Sequence, residues 1–445
     1  GHPNGFFDEF MLEVDDQADD IDSTAWAARQ SIPPTDEELR GYERLDSLKN
    51  LPVPIGRRLL QAVGASFFVV MGLAPDFYRF NRVEGAYFGG TGTVRPLRRL
   101  DVRLTGGYGI RTERVQWGLG ATYRLHEGRR LDVGFDAFDR VRRRPTIVRG
   151  ESHFSSGTAL GWGIDAADYF RAEGFDAFVA TKLVKFSRLR LTYHDELHFS
   201  LPLGTDNTLF EIDDPVRDNP PIDDGKLRSL EAQLRIDNRP MFKRKGRAEI
   251  LGAVEYWRLT LGAEHASPDL IDNDFDFTRY YASLYRRQRT LGLGLTSIHL
   301  YAGASDGNLP PQRYYVIDFG DAVFFNTLGY NTLHESIFAG NRLYSISFDH
   351  NFRRYLFVKS GLPLIRDIPL WLSLHGSMFW SEFRNHTPQP GDETLSTARK
   401  SYQELGFGIG NLTPFMMPFN FAVNFTWQLS DYDTSDFTWF LKLEL

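Results

Sequence analysis

His194, Glu196 and His198 stand at i, i+2 and i+4. In a strand that spacing puts all three side chains on one face, with neighbours about 7 Å apart. Two imidazoles and a carboxylate are a donor set that suits zinc. The step is long for a single ion, and a polar strand face lining water carries the same residue types. These three are therefore weak metal candidates, and no cofactor is expected. Ser200 lies near His198 and Asp195, yet adjacent strand residues face opposite sides, which turns Asp195 away from the other two, so no triad forms there. With no better constellation and no phosphate-binding glycine loop, the chain is not expected to be an enzyme. The runs Arg140, Arg142, Arg143, Arg144 and Arg286, Arg287, Arg289 fit either a lipopolysaccharide or partner site, or a charge belt just outside a bilayer. The belt is the simpler reading. Asp206, Asp213, Asp214, Asp218, Asp223 and Asp224 cluster in one segment. They offer the hard oxygens calcium prefers, but lack Asp-x-Asp-x-Asp-Gly spacing, so an acidic surface loop is the expectation.

The elements that must position these residues follow a period of two. Phe419, Phe421, Val423, Phe425, Trp427 and Leu429 share one face, against Asn420, Ala422, Asn424, Thr426 and Gln428. Phe437, Trp439, Leu441, Leu443 and Leu445 repeat the pattern. Leu189, Leu191, Tyr193, Leu197 and Phe199 oppose Arg190, Thr192, His194, Glu196 and His198. Such alternation marks strands. An apolar face rich in aromatics, opposite a face charged with both signs, fits a membrane barrel better than a soluble sandwich, whose strands average about 5–6 residues.

Bulk composition agrees with this. The chain has 445 residues, 14% aromatics, 40 glycines and no cysteine, which excludes disulfides and cysteine-based metal or redox sites. The net charge of -7 comes without a basic face, so nucleic acid is not an expected partner. A mean hydropathy of -0.34 and the absence of a long charge-free run exclude a helical membrane protein, but not a barrel. Fifteen segments read as strands, centred near residues 88, 104, 119, 134, 175, 193, 231, 254, 282, 297, 346, 375, 406, 423 and 441. Ser66 to Leu73 is a further candidate. Even strand numbers are the rule for such barrels, giving 16, with 14 as the alternative. The segments near 175 and 297 break parity, which points to a β-bulge or a misread register. Segments 141–163, 201–224, 305–340 and 382–400 read as long loops of one rim, and 353–369 as a connection of undetermined side. Gly118, Gly120, Gly406, Gly408 and Gly410 fall on lumen faces, leaving room for a packed plug or for curvature. Thr35 with Glu38 forms a capping box, predicting a helix from about Asp36 to Lys49. The expected organisation is a periplasmic helical preface over 1–75 and an all-β transmembrane antiparallel barrel over 76–445.

Three stretches carry a resemblance: Ile32 to Leu48, preceded by Trp26; Phe80-Asn-Arg-Val-Glu-Gly85; and Leu309-Pro-Pro-Gln-Arg-Tyr-Tyr315 followed by Phe338-Ala-Gly-Asn-Arg342. Together they resemble a family of Bacteroidota outer-membrane proteins that usually carry a carboxypeptidase-regulatory-like β-sandwich before the barrel. That barrel is in turn similar to the BamA/TamA superfamily. The resemblance implies a long loop between strands 11 and 12, folded into the lumen, with five strands after it. Its lumen residues would be Pro310, Gln312, Arg313, Tyr314, Gly329 and Tyr330. The superfamily's loop carries an Arg-Gly-aromatic tip, and the loop here has Asn326-Thr-Leu-Gly-Tyr330. The resemblance further implies a role in envelope biogenesis: assembly, insertion or translocation of outer-membrane components. The acting element would be a seam between the first strand, with Arg82, Val83, Glu84 and Gly85, and the last, with Phe437, Trp439, Leu441, Leu443 and Leu445. The location would be the bacterial outer membrane, with the N-terminus periplasmic. Expected partners are outer-membrane lipids and lipopolysaccharide, with other outer-membrane or periplasmic proteins as further candidates. The alternative is a passive channel or a structural barrel subunit of a larger complex.

Overall fold

The computed structural model describes residues 10–14, 35, 40, 74–126, 130–147, 155–210, 215–244, 247–250, 252–269, 272–290, 292–317, 328–333, 337–363, 366–367, 369–412 and 420–444. The first half of the chain forms β1 (Phe10–Val14), β2 (Tyr78–Asn81), β3 (Gly85–Leu97), β4 (Leu100–Gly109), β5 (Arg114–His126), β6 (Leu131–Arg143), helix α1 (Ser155–Trp162), β7 (Tyr169–Thr181), β8 (Ser187–Ser200) and β9 (Gly225–Asp237). Next come β10 (Met241–Arg244), β11 (Arg247–Ile250), β12 (Tyr256–Ala266), β13 (Phe277–Thr290) and β14 (Gly294–Gly307). The rest comprises β15 (Tyr315–Ile317), β16 (Phe338–Gly340), β17 (Arg342–Arg353), helix α2 (Tyr355–Lys359), β18 (Trp371–Glu382), β19 (Tyr402–Leu412), β20 (Asn420–Gln428) and β21 (Phe437–Glu444).

Sixteen of these strands form one antiparallel sheet, in the order β2 to β9, β12 to β14, then β17 to β21. Among the described residues, no helix is long and apolar enough to cross a membrane. The alternation seen in the sequence becomes two faces. In β8, Leu191 is 51% exposed on the outer face, while Glu196 is fully buried on the inner one. Trp117, Leu104 and Trp439 likewise stand exposed on the outside. An apolar outer face and a charged inner one define a transmembrane antiparallel barrel architecture. The strand count is the expected 16. The short β2 supplies the sixteenth strand, and the Ser66–Leu73 stretch lies outside the described residues. The strand expected near 254 is displaced to Tyr256–Ala266, because β10 and β11 form a separate hairpin before it. The parity break near 297 is neither a bulge nor a slip. The ladders of β14 run without interruption on both sides, and Leu295 simply faces inward, with Ile298 and Leu300 outward.

The four long segments share one rim, as expected, together with the tight turn at 110–113. The other rim carries 98–99, 127–130, 182–186 and 291–293, and also 238–255 and 354–370. This settles the side of the 353–369 connection. At the short-turn rim β1 pairs in parallel with β10. This strand in the preface had no sequence signal; of the expected helix, only Arg40 is among the described residues, and it is helical. Eleven sheet strands precede the 308–341 loop and five follow it. Among the described residues, no ladder joins β2 or β3 to β21.

Candidate functional site

The described arms of the 308–341 loop, 308–317 and 328–333 with 337–341, fold into the lumen. Leu309, Tyr314, Tyr315, Val316 and Ile317 on its first arm are buried, as are Tyr330, Leu333, Ile337 and Phe338 on its second. They pack with Leu227, Phe277, Phe379 and Tyr402 from the wall into one apolar cluster. The arms pair as β15 and β16. Burying each large side chain contributes about 1.5–3 kcal/mol. Apolar packing therefore supplies much of the docking energy, and polar contacts decide the register. Tyr315 shows how closely the arm seats: a Cβ added to Gly303 would lie 2.5 Å from its ring. The Tyr315 hydroxyl donates to the Tyr280 and Ala304 carbonyls, at 2.8 and 2.9 Å.

Arg313 is the cation of the first arm. Its guanidinium lies 3.7 Å from Glu196 and 3.4 Å from Glu264, two carboxylates of different strands. Both carboxylates are also held from the wall. Arg142 reaches Glu196 at 2.8 Å, and Arg279 reaches Glu264 at 2.6 Å. Ser229 donates a further bond to Glu264 at 2.7 Å. Buried charges persist only when paired and hydrogen-bonded; the wall arginines and Ser229 meet that condition for the two carboxylates, and Arg313 adds a further cation shared between them. Gln312, fully buried, donates through Nε2 to His198 Nδ1 at 3.2 Å and to the Asp223 carbonyl at 3.0 Å. Tyr314 donates to Asp392 at 2.9 Å; burial, then the adjacent carboxylate, pushes its phenol above the ordinary range. On the second arm, the Tyr330 hydroxyl donates to the Met378 carbonyl at 3.1 Å. Gly329 accepts from Ser377 at 2.9 Å. Glu404 accepts from the Asn331 amide at 3.0 Å, the Thr332 amide at 3.1 Å and the Thr332 hydroxyl at 2.8 Å.

The three histidine-strand candidates meet at Glu196, which lies 3.5 Å from His194 and 2.7 Å from His198. His194 turns both ring nitrogens to carboxylates: Nδ1 to Asp176 at 2.6 Å and Nε2 to Glu231 at 3.5 Å. His198 bonds Glu196 at 2.7 Å and serves the loop through Gln312. The grouping with metal spacing is instead Asp176, His194 and Glu196, whose ligand atoms lie within 4.8 Å of one another. Arg142, 3.5 Å from Asp176 and 2.8 Å from Glu196, already supplies cationic charge there. Asp195 points to the opposite face, where it holds Arg228 at 2.9 Å, so no triad assembles with His198 and Ser200. Ser200 bonds Asp224 at 2.6 Å; Asp213 and Asp214 lie outside the described residues. The charge-belt reading is corrected for Arg140, Arg142, Arg287 and Arg289, which lie on the lumen face of the sheet. Gly406 and Gly408 make room for the wall's own His375 and Asn424 rather than for the loop.

The Asn81–Gly85 segment is a buried turn. Arg82, Val83 and Glu84 connect β2 to β3 and do not form a strand edge. The Asn81 carboxamide oxygen accepts the Val83 and Glu84 amides at 3.0 and 2.7 Å, an Asx turn. Gly85 adopts φ +62°, where a side chain would also meet Arg111. Glu84 is held by Arg79 at 2.9 Å, by Asn81 and by Gln116. Arg82 reaches Asp168 at 2.8 Å, which Arg144 and Arg217 also pair. The outer edge of β2 is closed by loops. The Phe80 amide donates to Ser156 of α1 at 3.1 Å, and the Arg82 amide to Asp165 at 3.2 Å. The Arg82 carbonyl accepts the Gly204 and Thr205 amides at 2.9 and 3.0 Å.

Burial raises the Asp168 carboxyl, but Arg144, Arg217 and Arg82 outweigh it and hold it below the ordinary range. A depressed carboxylate contributes stability above the unfolded pKa, and loses it as pH falls through the folded one. Asp168→Asn is expected to cost about 2 kcal/mol at neutral pH. The wild-type clamp should fail only in acid, below about pH 4. Urea unfolding of the detergent-solubilised barrel at pH 7 and pH 3 checks this: the gap between variant and wild type should narrow at the lower pH.

Below the clamp the edge is open. Gly90 to Leu97 of β3 are exposed on both faces, and among the described residues they have no ladder on the side facing β21. On β21, Phe437 and Trp439 are exposed. Leu443 is placed in the strand, and Leu445 lies outside the described residues. Sequence reading missed Asp176, Glu231, Glu264, Arg279, Asp165, Asp168 and Glu404. For Glu264 the signal was present, as a lone carboxylate of lumen parity in Leu261-Gly-Ala-Glu-His265.

No family model and no curated protein matches the sequence. Among solved structures, BamA from Haemophilus ducreyi lacking POTRA domains 1–3 is similar at 10% identity and a TM-score of 0.46, covering 81% of this chain and 68% of that one. CdiB from Acinetobacter baumannii is similar at 11% identity and 0.39, covering 81% of this chain and 57% of that one. OpdO from Pseudomonas aeruginosa is similar at 11% and 0.32, with 81% and 90% covered.

Proposed function

We propose that the chain is an outer-membrane barrel of envelope biogenesis, assembling, inserting or translocating outer-membrane components through its seam. The observation that carries this is the edge of β3 from Gly90 to Leu97, which has no ladder partner among the described residues. An edge of this kind is a template for strand addition. Its Gly89-Gly90-Thr91-Gly92 stretch specifies register weakly, which suits successive client strands. The loop clamp confines opening to the short-turn half. With the exposed apolar face against lipid, short turns would face the periplasm. The preface strand β1 would then dock on the periplasmic side.

The chain has no cysteine, so an engineered pair would be its sole disulfide. One cysteine at Thr91 or Thr93 and one at Thr438 or Phe440 should lock the seam on oxidation. Cells whose sole copy is locked are expected to stop assembling outer-membrane components, with recovery on reduction. Locked cells that grow and assemble normally would sink the reading. A second reading, a passive channel or structural subunit, draws on the wall the loop leaves open, where Arg103 keeps 55% of its side chain exposed. A steady open current in planar bilayers, unchanged by the seam lock, would favour it.

A further inference from the structure

The lumen wall is not electrically uniform. Toward the long-loop rim, carboxylates and cations interleave: Asp176, Glu196, Glu231 and Glu264 face Arg142, His194, Arg279 and Arg313. Toward the short-turn rim, the inner faces of β8, β9, β12 and β13 carry Arg188, Arg190, Arg235, Arg258, Arg287 and Arg289. Among the described residues, carboxylates do reach this wall, and Asp176, Glu231 and Asp136 act on Arg190, while two others are shared between arginines. Asp132 serves Arg188 at 2.7 Å and Arg124 at 3.7 Å. Asp237 serves Arg235 at 3.2 Å and Arg239 at 2.6 Å. Arg188 and Arg235 stand directly opposite each other across the β8–β9 ladder, a like-charge pair that destabilises a sheet unless an anion offsets it. Arg190 lies 3.6 Å over the Phe178 ring and bonds Thr192 at 3.3 Å. Arg287 has a buried Nε with no hydrogen-bond partner.

We propose that this arginine wall is a binding site for phosphate-bearing anions. Guanidinium forks match phosphate oxygens bidentately, and several on adjacent strands offer more donors than one phosphate group can use. The wall lies half-way round the strand order from the open β3 edge and toward the same rim. Lipid headgroups entering by the seam and soluble anions entering by the short-turn mouth would both meet it. The inference rests on the fold and the register, independently of the seam reading.

The test uses the full chain in neutral detergent. Inorganic pyrophosphate binding is measured by equilibrium dialysis at low and high salt. Phosphatidylglycerol retention, with phosphatidylcholine as the neutral comparison, is measured by native mass spectrometry. The variants are Arg190→Gln alone and the triple Arg190→Gln, Arg235→Gln, Arg287→Gln. Arg286→Gln, on the outer face of β13, removes the same charge as a control, and heat-modifiable gel mobility reports folding. Wild type is expected to bind at least one probe. The triple variant should bind at least about tenfold more weakly, since charge-assisted bonds are lost, the single variant less so, and Arg286→Gln as wild type. Pyrophosphate binding assigns a soluble anion, and phosphatidylglycerol retention alone assigns a lipid headgroup. The proposal is overturned if neither probe binds, if the single and triple variants bind as wild type, or if Arg286→Gln loses as much as they do.

Discussion

Arg313→Ala should release the first arm of the lumen loop. The substitution withdraws the cation between Glu196 and Glu264, both buried on the wall. Each keeps one arginine, Arg142 or Arg279, but the cluster loses a positive charge it cannot regain from water. Removing one partner from a buried ion network costs about 3–5 kcal/mol. A cysteine at Val316, buried in the docked arm, reports the outcome in a chain that otherwise has none. Its maleimide reactivity should rise by at least about tenfold, the equivalent of 1.4 kcal/mol. Arg313→Lys should recover only part of the protection, because an ammonium is a point charge and not a fork. Unchanged labelling in Arg313→Ala would mean that apolar packing alone fixes the arm.

The second arm has a different anchor and should fail separately. Glu404→Ala removes the acceptor of two backbone amides and a hydroxyl at Asn331 and Thr332. Orphaned buried donors cost about 1–3 kcal/mol each, so a loss of about 3 kcal/mol or more is expected. A cysteine at Leu333, fully buried in wild type, should become reactive, while Val316 stays protected. Glu404→Gln keeps one carbonyl oxygen and should fall between. If both reporters open together in either variant, the loop docks as one cooperative unit and the two anchors are not independent.

Arg313 and Glu404 also mark the boundary between what was legible in the sequence and what was not. Alternation such as Leu191, Tyr193 and Leu197 against Thr192, His194 and Glu196 reports side-chain direction, a local property of extended backbone. It therefore yields strand existence, the two faces, the strand count and the long loops of one rim. The Leu309–Tyr315 stretch pointed to Arg313 as a lumen residue. It could not say that Glu264 and Glu196 are the partners, because those sit 49 and 117 positions away in the chain. Register and curvature of the sheet decide such pairs, and periodicity carries no information on either. The same limit explains Arg82, Val83 and Glu84, read as part of the first seam strand but found in a clamped turn. Its partners Asp165, Asp168 and Gly204 come from two loops with no period to read. Period two in the sequence determined the barrel wall; only the tertiary structure decided which charges meet inside it and where, among the described residues, its edge has no ladder partner.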